Sequence, residues 1–148
     1  MSDLSRSRLL NLLALLRAAQ LIHHTAHWQA RGATFYADHQ LFARLYGDVL
    51  KEADVLAEKL VYLLGAEAVD ALDQVVRLHA AVRKAVEVSA DLVQRSYALE
   101  MSLQAAIAAA REGLAAEGNL PLGLDNFLAG LRDTHDNACY LLRQRSER

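Results

Sequence analysis

The sequence predicts an all-α chain folded as a four-helix bundle in one domain, residues 1–148. Three observations point there. Apolar residues recur at three- and four-residue spacing over four long stretches. Glycine occurs only 7 times and proline once, too little turn punctuation for a sandwich or barrel. Hydrophobic residues make up 53% and charged residues 23%, a balance that buries a core rather than staying disordered. A chain of 148 residues suits one domain and buries roughly 70% of its unfolded surface.

The first helical stretch runs from about Ser7 to Ala30, with Leu9, Leu12, Leu13, Leu16, Ala19 and Ile22 on one broad face. Gly32 follows as a stop signal. The second runs from Phe35 to Leu64, between a Thr34 N-cap and Gly65. Its stripe is Phe42, Leu45, Val49, Leu56, Leu60 and Leu63. A short helix is expected over Glu67 to Leu78, inside the connection. The third long helix is expected from Val82 to Glu117, stopped by Gly118-Asn119, and its alanine-rich second half favours helix. Pro121 suits the first turn of the fourth, which runs to about Arg145. Four long helices with one longer connection are the layout of ferritin-like bundles, which by itself implies no function.

The net charge of −2 argues against strong binding of nucleic acid through bulk charge. The single Cys139 cannot form an internal disulfide, which fits a reducing, cytoplasmic setting. No stretch reads as a membrane span, and Leu9 to Ile22 is interrupted by Asn11, Arg17 and Gln20. The chain has no GxGxxG, no Walker A sequence and no GxSxG.

The histidines carry the first chemical signal. Four of the six, His23, His24, His27 and His39, fall within 17 residues. His23 and His27, four apart on one helix face, have the spacing to chelate an ion such as zinc by themselves. Asp54 and Glu58 have the same spacing on the second helix, and the apolar neighbours of Asp54 suggest partial burial. The hairpin at Gly32 brings His27 near His39. Asp54 lies 15 residues beyond His39, about 22 Å along the axis and about 60° around it. The two histidines and two acids therefore cannot meet within one chain. Two second helices packed antiparallel about a twofold axis would bring each histidine pair to the partner's acids. No ExxH occurs, which argues against the usual di-iron site inside one bundle.

His27-Trp28-Gln29-Ala30-Arg31-Gly32, Phe35, His39, Phe42, Leu45-Tyr46 and Asp54-Val55-Leu56-Ala57-Glu58-Lys59 together resemble the signature of the Dps family, the miniferritins. The match covers about Leu21 to Gly65, with a weaker echo at Asp136 to Arg143. The resemblance implies a hollow homododecamer that oxidises iron(II), with peroxide or dioxygen as oxidant, and stores the ferric product. It implies a ferroxidase site, mono- or di-iron, with His27 and His39 from one subunit and Asp54 and Glu58 from its neighbour. These four are the expected metal ligands and catalytic residues, with zinc as a possible substitute ion. Trp28 would pack at an interface or intercept stray radicals.

Two positions depart from the pattern. Ala43 stands where many members carry an acid, and Lys59 where Arg is usual. A rival reading is thus a shell with a degraded site that binds DNA or other partners without enzymatic activity. For DNA the available groups are Arg6 and Arg8, opposed by Asp3, and Arg143, Arg145 and Arg148 with Glu147. Glu117 and Asp125 are candidates for an entry pore, while His79, His135 and Cys139 are read as structural or surface residues.

Overall fold

A computed structural model describes residues 1–146. Five α-helices follow one another: α1 (Asp3–Gln29), α2 (Phe35–Leu64), α3 (Ala71–Val88), α4 (Leu92–Ala116) and α5 (Leu122–Ser146). A single 3-10 turn, Ala66–Ala68, leads from α2 towards α3. Helices α1, α2, α4 and α5 form the bundle, and α3 is the crossover, packed on the outside against α1 and α4. Among the described residues no helix is long and apolar enough to cross a membrane.

Helix α1 starts four residues before its expected first turn, because Ser2 accepts a hydrogen bond from the Ser5 amide and caps it. Ser2 and Ser5 are in turn held by the Glu117 carboxylate at the far end of α4. Residues 3–8 are therefore helix, not a free arm. Helix α2 has the predicted ends. Gly65, at φ 91°, turns the chain out of it while its amide bonds Val61 O.

The expected third helix is a different object. It breaks at residues 89–91, and the connecting helix is 18 residues long rather than short. Ser89 is extended, and Asp91 caps α4 by accepting from the Gln94 amide at 2.9 Å. The Ser89 hydroxyl accepts from the Asp91 amide, and Arg95 donates to Ser89 O. These short polar side chains offer the backbone a better set of bonds than a continuing helix would. Helix α4 ends as expected, with Gly118 at φ 66° and its amide bonded to Ala115 O.

The core has two apolar parts. The larger holds Leu9, Leu12, Leu13, Leu16, Leu56, Leu60, Leu103, Ile107, Leu114 and Leu128. The smaller holds Ala26, Phe42, Leu45, Val93, Ala138 and Leu142, beneath the α1–α2 turn. Between them lies a polar layer built from His23, Ser96, Glu100 and His135, all buried. Of the neighbouring bundle helices, α2 and α5 pack least closely on each other.

Candidate metal site

His27 ends α1 and His39 begins α2, and the turn at Gly32, with φ 83°, folds one onto the other. The rings stack with centroids 3.6 Å apart. Each ring donates from Nδ1 to the other residue's backbone: His27 to His39 O at 2.8 Å, His39 to His27 O at 2.9 Å. A carbonyl oxygen only accepts, so both Nδ1 atoms carry the proton. In the neutral rings both Nε2 atoms are then bare lone pairs. This is the outer-shell arrangement that fixes the tautomer of a metal-ligating histidine. Both side chains are partly exposed, so the lone pairs are reachable.

Aromatic rings surround the pair. Phe35 stacks on His39 at 4.9 Å, and Tyr46 meets His27 edge-on at 5.4 Å. His24 sits between Trp28 and Tyr46, 4.1 Å from each. Trp28 is 67% exposed, open for packing against another surface. Asp38 fastens this end of the bundle by a bidentate pair with Arg145 at 2.6 and 3.0 Å, and it also accepts from the Thr34 hydroxyl. Thr34 is therefore not a side-chain cap, as the sequence suggested. Burial pushes the Asp38 pKa up, but these bonds and the Arg145 charge more than offset it and hold it low.

Asp54 and Glu58 lie on α2 well away from this end, and both are exposed. The expected partial burial of Asp54 is absent because Val55 beside it is itself exposed. Lys59 reaches over the Phe127 ring, turned towards α5. Among the described residues of one chain, no three His, Cys, Asp or Glu side chains are placed to hold a metal ion. The chelate of His23 with His27 does not form. His23 is fully buried, its Nδ1 against Ser96 Oγ at 3.1 Å and its Nε2 against Glu100 Oε1 at 2.7 Å.

That contact opens a cluster which the sequence reading missed. Glu100 Oε2 meets His135 Nδ1 at 2.5 Å. His135 Nε2 lies 3.1 Å from Glu52 Oε2, yet neither of these two atoms makes a hydrogen bond. Helices α1, α2, α4 and α5 thus contribute one residue each. Burial pushes the Glu100 pKa up, but hydrogen bonds from His135 and His23 and their charge prevail, bringing it to about 2. Burial pushes His135 down, and the two carboxylates beside it win, raising it to about 9. The available signal was position: His135 continues the stripe Leu124, Leu128, Leu131, Ala138 and Leu142, where a polar residue must be paired. Cys139 is buried next to Met101, and burial, with Glu100 and Asp136 nearby, pushes its thiol up to about 11.

Of the remaining candidates, Glu117 holds Ser2 and Ser5, and Asp125 pairs with Arg111 at 2.6 Å. His79 is exposed on α3. Arg145 is committed to Asp38, while Glu147 and Arg148 lie outside the described residues.

No family model and no curated protein sequence matches the chain. Solved structures do. The Dps of Thermosynechococcus elongatus superposes with a TM-score of 0.83 at 18% identity, over 99% of this chain and 92% of that one. The Dps of Staphylococcus aureus superposes with a TM-score of 0.79 at 17% identity, over 97% and 95%. The chain has a Dps-like fold. The similarity spans essentially the whole length, so α3 belongs to the Dps-like layout as well as the four bundle helices.

Proposed function

We propose that this chain assembles into a hollow homododecamer that oxidises iron(II) and stores the ferric product, with ferroxidase sites shared between twofold-related subunits. The observation that carries the reading is the His27–His39 pair. Its reciprocal Nδ1–carbonyl bonds orient two bare imidazole nitrogens before any metal arrives. Imidazole with carboxylate and no thiolate suits iron(II). Asp54 and Glu58 of a neighbouring copy would supply the oxygens, as both are exposed and without an ion pair to any described residue.

The exposed face of α2 supports a twofold contact. Gly47 lies midway between His39 and Asp54, and a Cβ there would meet nothing within 4 Å of its own chain. A helix-interior glycine costs about 0.5–1 kcal/mol relative to alanine, and nothing inside the chain explains it. A second α2 crossing closely there would. Leu50, 58% exposed on the same face, would be covered by that contact.

Two iron(II) ions at such a site each give one electron to peroxide. With two protons it becomes two waters, and no hydroxyl radical is released. Ala43, one turn after His39, adds no oxygen donor, so water must fill that position on the metal. The DNA-binding alternative has less support, because residues 3–8 are helical and Arg145 is paired.

Mixed shells test the proposal. His27→Ala and Glu58→Ala should each abolish most peroxide-dependent iron oxidation. Refolded together, unlike neighbours form one doubly defective site and one intact site, so activity should return in proportion to unlike pairs. Light scattering should give a mass near twelve times the 16.3 kDa chain. Mixed shells no more active than either variant alone would refute the shared site, and a stable monomer would refute the shell.

A further inference from the structure

The polar layer in the core is more than a set of paired charges. We propose that the seam between α2 and α5 holds a metal site within a single chain, in which His135 Nε2 and Glu52 Oε2 bind a divalent first-row transition ion. This inference does not depend on the ferroxidase reading.

Three observations carry it. First, these two atoms are both buried, lie 3.1 Å apart and make no hydrogen bond. With a proton on Nε2 they attract as an ion pair, but the pair is misaligned for a hydrogen bond, and buried polar atoms are rarely left without one. Two donors bound to one ion at roughly 2.1 Å stand about 3.0 Å apart at an octahedral angle and about 3.4 Å at a tetrahedral one, so a spacing that gives no aligned hydrogen bond fits a shared ion. That ion would take the place of a proton on Nε2.

Second, the other side of the His135 ring is already arranged. Nδ1 faces Glu100 Oε2 at 2.5 Å, and Glu100 is held in turn by His23, which rests on Ser96. A carboxylate on the far nitrogen is the usual partner of a metal-ligating histidine. His135 is only 1% exposed and Glu100 fully buried, so this support is rigid.

Third, an acidic cleft lies beside the position, with Glu52 in its lining. The α2–α5 seam opens into a polar cleft of about 670 Å³ lined by Asp48, Glu52, Asp133 and Asp136, against Arg44 and Lys51. The carboxylates outnumber the cations, which favours cation entry. Asp48, one turn before Glu52, also lines the small cavity against His135 and Glu100. It holds Arg44 only at 3.9 Å on the surface, a contact worth little. In the present rotamers no three such groups enclose an ion, so the site has two protein ligands in place, and Asp48 can swing in as the third. One imidazole with carboxylates and no sulfur selects zinc, manganese, iron(II) or cobalt(II).

Zinc is a suitable probe, and the assembled protein is the right sample. The shared site is first removed with His27→Ala and Asp54→Ala in one chain. Equilibrium dialysis of that variant should retain about one zinc per chain. Adding Glu52→Gln, which keeps the side chain's shape, should weaken binding on the order of tenfold or more, and Asp48→Asn should weaken it less. Cobalt(II) bound in place of zinc should show a visible spectrum that Glu52→Gln removes. His135→Gln serves as a second ligand variant, its fold checked by circular dichroism. No zinc retained by the His27→Ala, Asp54→Ala protein would overturn the proposal, as would retention that Glu52→Gln leaves unchanged. Ferroxidase activity is not read in this experiment, so its outcome and that of the shared-site proposal separate cleanly.

Discussion

Two histidine clusters start within one turn of each other on α1, at His23 and His27, and they are opposites. At the outer one, His27 and His39 spend Nδ1 on backbone carbonyls and keep Nε2 bare and accessible. At the inner one, His23 has both nitrogens engaged, and Glu100 is clasped between two imidazoles in the dry core. Each is centred on a pair of imidazoles. What differs is the partner on the second nitrogen. A backbone carbonyl takes the Nδ1 proton and leaves Nε2 without a partner, whereas the buried Glu100 carboxylate bonds His23 and His135 together inside the core. The outer cluster lies at the partly exposed end of the α1–α2 hairpin. The inner one ties four helices together.

The largest expected effect breaks the inner cluster. Glu100→Ala leaves two buried imidazoles without their shared carboxylate. Removing one partner of a buried charged network costs about 3–5 kcal/mol, and denaturant unfolding should show a loss of that order. Unchanged stability would mean that the layer opens to water when the carboxylate is absent.

His39→Ala should do the reverse. The residue 39 carbonyl stays, so His27 keeps its Nδ1 bond, and the partly exposed ring leaves no deep cavity. Stability should change by less than about 1 kcal/mol, while peroxide-dependent iron oxidation falls to a small fraction. A stability loss as large as that of Glu100→Ala would erase the contrast between the clusters.

The smallest effect sharpens the role of burial. Glu117 has its pKa drawn down to about 2 at the surface, chiefly by the Ser2 and Ser5 hydroxyls and the Ser2 amide. Glu100 is brought equally low inside the core. Hydrogen bonding to the ionised form thus suffices without burial. Because the folded pKa is depressed, the Glu117 tie is complete above about pH 4.5 and is lost as pH falls through about 2. Carboxyl resonances followed by NMR should place the Glu117 midpoint there, and Glu117→Gln should speed hydrogen exchange at the Ser2 and Ser5 amides. A midpoint near 4.5 would show that the serine contacts do not persist in solution.

Much of the chain was legible before folding. The apolar period of Leu9 to Ile22 and of Phe42 to Leu60, with glycine stops at 32, 65 and 118, determined the bundle helices and the ends of α2. The distance along α2 from His39 to Asp54 already excluded a site closed within one chain, because helix rise is constant. What remained hidden depended on contacts between distant segments. The break at Ser89 to Asp91 rests on side chains competing for backbone groups, which periodicity does not register. The early start of α1 depends on Glu117, 112 residues away from Ser5. Of the union of His23, Glu52, Glu100 and His135, only the place of His135 on the apolar stripe of α5 left a local sign. Each stands on a different helix, and only the packing of four helices around one point decides that they meet.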